Sequence, residues 1–278
     1  VRDAEAGDAR AGSVGGHGAV AGDAPVRALR PGRARPSLWS QLAVVAALLW
    51  LYDAINNLNP LRHATALAHG AAVLHAELWL HLDPELRLNR WLAGHASLGR
   101  FLGDYYDTAH FVVTLVLLGW VWWRYAPRYR FLRNTLVGIN VIGFAVFWLY
   151  PVAPPRMLPG FVDVVAVTHS LGGWSTGALA SQANEYAAMP SLHIGWAIWS
   201  AMAVWSFRRD VLSRALAGAY VVLTALVVMA TANHYFLDVV AAAAAAAVSA
   251  LVAWAWARRR AARAAAVAPS GALARVPA

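Results

Sequence analysis

Two histidines, one aspartate, one serine and one arginine stand out from an otherwise apolar chain by type and spacing. His234 and Asp238 are four residues apart, so on a helix they share one face and can hydrogen-bond. A carboxylate on one ring nitrogen fixes the tautomer and leaves the other nitrogen able to attack or to take a proton. His193 follows Pro190, Ser191 and Leu192 at the mouth of an apolar segment. Pro190 there is expected at the first helical position, which puts Ser191 and His193 in a first turn whose N–H groups and dipole suit an anion. Arg156 closes the run Tyr150, Pro151, Val152, Ala153, Pro154, Pro155, whose prolines stop a helix and stiffen its exit. Its guanidinium can grip a phosphate through two donors. Each piece has a plainer reading: an interfacial anchor for Arg156, a simple helix start for His193, a structural ion pair for His234 and Asp238. Together they hold the parts for in-line phosphoryl transfer: a phosphate clamp, an oriented nucleophile and an acid for the leaving group.

The elements that must carry these residues are membrane spans. Of 278 residues 60% are hydrophobic and 13% charged, with 14 tryptophans and no cysteine. That composition excludes a soluble enzyme, and the missing cysteines exclude disulfides and thiolate metal sites. Six apolar segments are expected to be helical spans: Leu38 to Ile55, Thr108 to Trp123, Leu132 to Tyr150, Leu192 to Phe207, Ala215 to Ala232 and Tyr235 to Ala257. The seven alanines from Ala241 to Ala247 favour helix and close helix packing. The expected fold is an all-α integral membrane protein, a six-helix transmembrane bundle with interfacial helices. Residues 1–36 read as a disordered tail, 37–260 as the membrane domain and 261–278 as a second tail. The first tail is not read as a signal peptide, since the first long apolar run comes late and lacks a cleavage pattern.

Between the first two spans, residues 56–107 carry an amphipathic pattern expected to lie at the interface, with Trp79, Trp91, Tyr105 and Tyr106 at headgroup level. Every basic residue is arginine, and all but Arg62, Arg87, Arg90, Arg100 and Arg156 fall in the tails and in the loops after the second and fourth spans. The positive-inside rule then places both termini in the cytoplasm and all three reactive clusters on the extracytoplasmic side. The basic excess is thereby a topology signal, and nucleic acid is not expected as a partner. His63, His69, His75 and His81 recur every six residues, which does not align them on one helix face. They are expected to be solvated interfacial histidines, with no metal site.

The run from Pro190 to His193, the pair His234 and Asp238, and Arg156 after its prolines resemble the type-2 phosphatidic acid phosphatase superfamily. Within it they are most similar to the branch containing inositol phosphorylceramide synthase, a lipid phosphotransferase. The resemblance extends over roughly residues 38–260, including the stretch from Asp104 to His110. It implies a six-helix membrane bundle working without a metal or other cofactor. It implies that His234 attacks phosphorus to give a phosphohistidine, Asp238 orients it, His193 protonates the leaving group, and Ser191 and Arg156 hold phosphoryl oxygens. It further implies a lipid phosphate donor and either water or a polyol acceptor such as inositol or a sugar. Two positions depart from the family pattern. A lysine seven residues before the arginine is here Leu149, and an arginine six residues before the nucleophile is here Val228. These losses favour the phosphotransferase branch over a phosphatidic acid phosphatase.

His110 is a candidate to supply missing polar contact, and Asn184, Tyr186 and Trp174 are candidate headgroup contacts within the outer segments 56–107 and 157–189. The competing readings are a plain polyprenyl or lipid phosphate phosphatase, a transporter using a His–Asp pair as proton relay, and an inactive membrane scaffold kept in view by Leu149 and Val228. Against a transporter, both histidines fall at span mouths and no span is interrupted by an internal Pro or Gly pair.

Overall fold

The computed structural model describes residues 36–57, 62–170 and 184–267. The expected tail over 1–36, all but its last residue, and Trp174 lie outside the described residues, as do residues 268–278. Nine α-helices and no strand are found among the described residues. They are α1 (Leu38–Asn56), α2 (His63–Leu80), α3 (Pro84–Ala93), α4 (Ala96–Arg124), α5 (Ala126–Leu149), α6 (Val164–Val167), α7 (Leu192–Phe207), α8 (Val211–Ala230) and α9 (Phe236–Val267).

The helix boundaries follow local chemistry. Ser37, Ser191 and Asp210 each accept an N–H of the first turn that no intrahelical carbonyl can reach, opening α1, α7 and α8. Pro84 begins α3, where its missing N–H costs nothing. Each expected span contains a helix, with two differences of extent. α4 begins at Ala96, so the stretch carrying Tyr105 and Tyr106 is continuous with the helix that contains the second expected span. Both tyrosines turn inward: Tyr105 bonds Thr224, and Tyr106 stacks on His193. α9 runs through the arginine cluster to Val267, because arginine and alanine both favour helix.

Four helices are long and apolar enough to cross a membrane: α1, α5 from Arg128, α8 and most of α9. α7, at 16 residues, is a shorter apolar helix. Large apolar side chains such as Trp39, Trp50, Leu216 and Leu251 stand exposed on these helices, the surface lipid would cover.

α5, α7 and α9 pack at the centre, with α4 and α8 against α7 and α1 against α5. Small residues allow the closest approach. A Cβ on Gly138 of α5 would stand 2.9 Å from the Ser249 Cβ of α9, and Ala242, Ala245 and Ala246 of the alanine run are buried. Trp199 of α7 is fully buried, and its indole N–H donates to the Leu132 carbonyl of α5 at 2.7 Å. At the opposite end of these helices from the arginine-rich α4–α5 turn, α2 and α3 close over the ends of α8 and α9. There the backbone approach is tighter still. A Cβ on Gly70 of α2 would meet the Ala153 carbonyl oxygen at 2.6 Å and the Tyr235 hydroxyl at 2.9 Å.

Gly70→Ala should therefore lower stability by about 1–3 kcal/mol. Gly119→Ala, where an added Cβ meets nothing within 4 Å, should stabilise the α4 interior by about 0.5–1 kcal/mol. Thermal midpoints of the two detergent-solubilised variants should move in opposite directions.

Candidate active site

His234 precedes α9, and its environment starts from how that helix begins. α9 opens at Phe236, so Tyr235 flanks it and Asp238 is its third residue. From there the Asp238 carboxylate reaches back, Oδ2 accepting the Tyr235 N–H at 2.9 Å, as the acidic member of a capping box does. The same oxygen lies 3.2 Å from His234 Nδ1, and the Ala188 carbonyl lies 2.8 Å from that nitrogen. Both neighbours are acceptors only, so Nδ1 must carry the hydrogen. Nε2 is left with its lone pair. His234 and Asp238 are 3% and 0% exposed, so the pair is shielded from competing water.

The preceding turn is bound tightly to the end of α8. The N–H groups of Asn233 and His234 both donate to the Val228 carbonyl, and Ala232 takes a left-handed backbone with φ of 56°. That conformation costs an alanine roughly 1–2 kcal/mol, and the turn is over-determined enough to hold it. The Ala232 carbonyl accepts the Arg156 N–H at 2.8 Å, bringing the proline-rich segment against the turn that carries His234. The Arg156 side chain is fixed twice, Nη1 donating to Asn233 Oδ1 at 2.6 Å and Nε pairing with Asp163 at 3.3 Å.

α7 delivers the second histidine. Ser191 caps it, Oγ accepting from the Ile194 N–H, so Pro190 lies before the cap and not in the first turn. The Ser191 N–H donates to the Asp238 carbonyl at 3.3 Å, which ties the start of α7 to α9. His193 stands edge-on to His234 with ring centroids 5.5 Å apart. Tyr106 stacks on it at 4.3 Å, and His110 lies 4.1 Å away with its Nδ1 on the Tyr106 carbonyl. Two rings of α4 thus set the plane of His193.

His234, Asp238, His193, Ser191, Arg156 and His110 therefore come together from four stretches of chain. Asn184 and Tyr186 have other contacts. The Asn184 N–H donates to the Tyr52 hydroxyl, Asn184 Oδ1 accepts from the Tyr186 N–H, and the buried Tyr186 hydroxyl bonds His63 Nδ1. Val152 and Ala187 form a single parallel bridge, and through it this segment is laid beside the proline run. His63 and His69 are thereby engaged and not simply solvated, His69 Nδ1 meeting the Pro151 carbonyl with its ring stacked on Tyr150. His75 and His81 are exposed.

Neither missing family cation has a stand-in at its own position. Leu149 is 74% exposed at the end of α5, while Val228 is buried in an apolar cluster with Ile194, Met229 and Ala242. The structure also reveals partners that residue spacing could not: Asn233, Asp163, Tyr106, and two buried glutamates, Glu77 of α2 and Glu85 of α3. Burial, and then the adjoining Glu85 carboxyl, push Glu77 up to about 9. Burial likewise raises Glu85. The only sequence signal for these two was a carboxylate at a buried position of an amphipathic pattern.

Such an arrangement brings an oriented imidazole, a facing imidazole and an anchored guanidinium together, groups whose chemistry suits an anionic ligand. A sequence model of the PAP2 superfamily matches residues 71–252, and the chain belongs to that superfamily, one of lipid phosphatases and phosphotransferases. Comparison with curated proteins and with solved structures gave no match.

Asn233→Ala should release the Arg156 fork while leaving His234 in place. Losing one hydrogen bond to a charged group costs about 1.5–3 kcal/mol. Activity on a lipid phosphate should fall about ten- to hundredfold in kcat/KM, and Arg156→Lys, which loses the fork geometry, should resemble it.

Proposed function

We propose that the protein is a membrane-embedded lipid phosphotransferase or phosphatase of the PAP2 superfamily, working at the extracytoplasmic face through a phosphohistidine on His234. The observation that carries this reading is the His234 Nδ1 contact with Asp238 and Ala188, which directs Nε2 to be the nucleophile. In the first half-reaction the Nε2 lone pair attacks phosphorus. The bond to the leaving oxygen breaks as His193, in its protonated form, gives that oxygen its proton. Arg156, Ser191 and the start of α7 hold the remaining phosphoryl oxygens. In the second half, neutral His193 takes the proton of water or an alcohol as its oxygen attacks phosphorus. The P–N bond then breaks and its electrons return to Nε2. His110 and Tyr106 hold His193 for both proton transfers, and Asn184 and Tyr186 hold the segment that supplies the Ala188 carbonyl.

The orientation follows from arginine distribution, with both termini cytoplasmic. The interfacial segment between the first two spans is then α2 and α3, packed over the outer ends of α8 and α9. The donor is a lipid phosphate, and the acceptor in the favoured reading is a polyol such as inositol or a sugar. The apolar side chains at positions 149 and 228 support the branch of inositol phosphorylceramide synthase. With fewer cations on the phosphate, the site holds a bare monoester less tightly than a phosphatase would. The positions of both histidines at helix ends, not mid-helix, speak against a transporter.

The test is turnover of a panel of lipid phosphates and diphosphates by the purified protein, with and without polyol acceptors. Headgroup transfer that needs the acceptor and leaves little free phosphate is the expected outcome. Acceptor-independent phosphate release would make the protein a phosphatase. His234→Ala should lower either activity by at least about a thousandfold; turnover surviving in that variant would exclude the mechanism.

A further inference from the structure

Glu77 and Glu85 belong to none of the motifs, yet both are completely buried beside the nucleophile turn. Glu77 reaches across from α2 to α9, where its Oε1 accepts the Leu237 N–H at 2.6 Å. That N–H is one of the first-turn donors a helix cannot satisfy itself. Asp238 satisfies the Tyr235 N–H two positions earlier. The start of α9, from which His234 and Asp238 are aimed, is therefore capped by two carboxyls, one from its own third residue and one from α2.

Glu85 has no such donor. Neither of its oxygens, nor Glu77 Oε2, meets a hydrogen-bond partner among the described residues. The Glu77 carboxyl adjoins it, and Asp238 adds a third carboxyl close to Glu77. Two buried carboxylates in contact repel and lack donors, whereas one proton between them removes the repulsion and makes a strong hydrogen bond.

We propose that Glu77 and Glu85 are positioning residues that share a single proton, and that the shared-proton pair clamps the N-terminal turn of α9 so that Asp238 holds His234 in its attacking orientation. Glu77 carries the proton, its carbonyl oxygen accepting from Leu237 and its hydroxyl donating to Glu85. Among the described residues, the titratable groups facing the pair are Asp238 and Tyr235 from the α9 side and Asp83 from the α2–α3 turn. None is a fixed cation that would favour a second ionised glutamate. Asn89, one turn after Glu85, fixes the same face of α3 by donating to the Ala230 and Val162 carbonyls, so Glu85 is held from outside the pair.

The pair predicts an asymmetry between two substitutions. Gln at position 77 reproduces the protonated acid: a carbonyl for Leu237 and an N–H for Glu85. Glu77→Gln should therefore keep kcat within about threefold of the parent, while Glu77→Ala, which leaves the Leu237 N–H and Glu85 without partners, should lose about ten- to hundredfold in kcat with little change in KM. The sign of the pH effect follows from the shared proton. As pH rises through about 9, Glu77 ionises against Glu85 and Asp238, the clamp loosens and kcat falls. Glu77→Gln has no proton to lose there and should lack that alkaline decline.

This inference rests on the phosphoryl-transfer reading, and infrared spectroscopy separates the two. The parent protein should show a protonated carboxylic acid band at neutral pH that disappears near pH 9 and is missing from Glu77→Gln. That band with the Gln–Ala asymmetry in kcat supports the clamp. Absence of the band from the folded parent, equal damage by Gln and Ala, or an unimpaired Glu77→Ala would overturn it. Should no donor be turned over at all, the band decides for or against the shared proton, while the phosphoryl-transfer reading fails independently.

Discussion

One carboxylate oxygen, Asp238 Oδ2, serves two masters, and the site depends on that double use. It caps the backbone of its own helix through the Tyr235 N–H and it receives the proton-bearing nitrogen of His234. Burying a carboxylate costs several kcal/mol unless it is hydrogen-bonded, so the cap offsets part of the cost of placing Asp238 beside His234. It also explains the spacing in physical terms. Position 238 is the third residue of α9, the one from which a side chain can turn back to the residue flanking the helix. A shorter or longer interval would keep an acid near the imidazole but lose the backbone bond that aims it.

The rest of the fold converges on this turn. The last turn of α8 supplies the Val228 carbonyl that accepts both Asn233 and His234, the proline run enters through the Arg156 N–H, and α7 is tied in through Ser191. Against so many fixed backbone groups, few cations are needed to shape the site. Arg156 is held by Asn233 and Asp163, both on neighbouring segments, so its position is built into the backbone it clasps. Among the described residues, this turn therefore offers an anionic ligand the Arg156 guanidinium and the oriented dipoles of the backbone around it.

Much of this was legible in the residues. The His–Asp interval, the Pro-Ser start of α7 and the proline-stiffened Arg156 are local patterns, and local patterns survive without knowledge of the fold. The helices α1, α5, α7, α8 and α9 follow from apolar runs for the same reason. What could not be read is long-range. Glu77 meets Leu237 across 160 positions and Asn89 meets Ala230 across 141, and no periodicity encodes such pairings. Tyr105 and Tyr106 looked like headgroup residues because tyrosine is common there, but α4 extends through them and carries both rings inward. Tyr186 reads as a candidate headgroup contact, and its bond to His63, 123 positions away, is another pairing the residues alone do not show.

The central claim is that His234 becomes covalently bonded to phosphorus. It is tested most directly by quenching the protein during turnover of a lipid labelled in its phosphoryl group and mapping the label. The account predicts acid-labile, alkali-stable label on the peptide containing His234, absent from His234→Ala and released on adding the acceptor. Label on any other residue, or single-step transfer with inversion at phosphorus and no labelled protein, would contradict it.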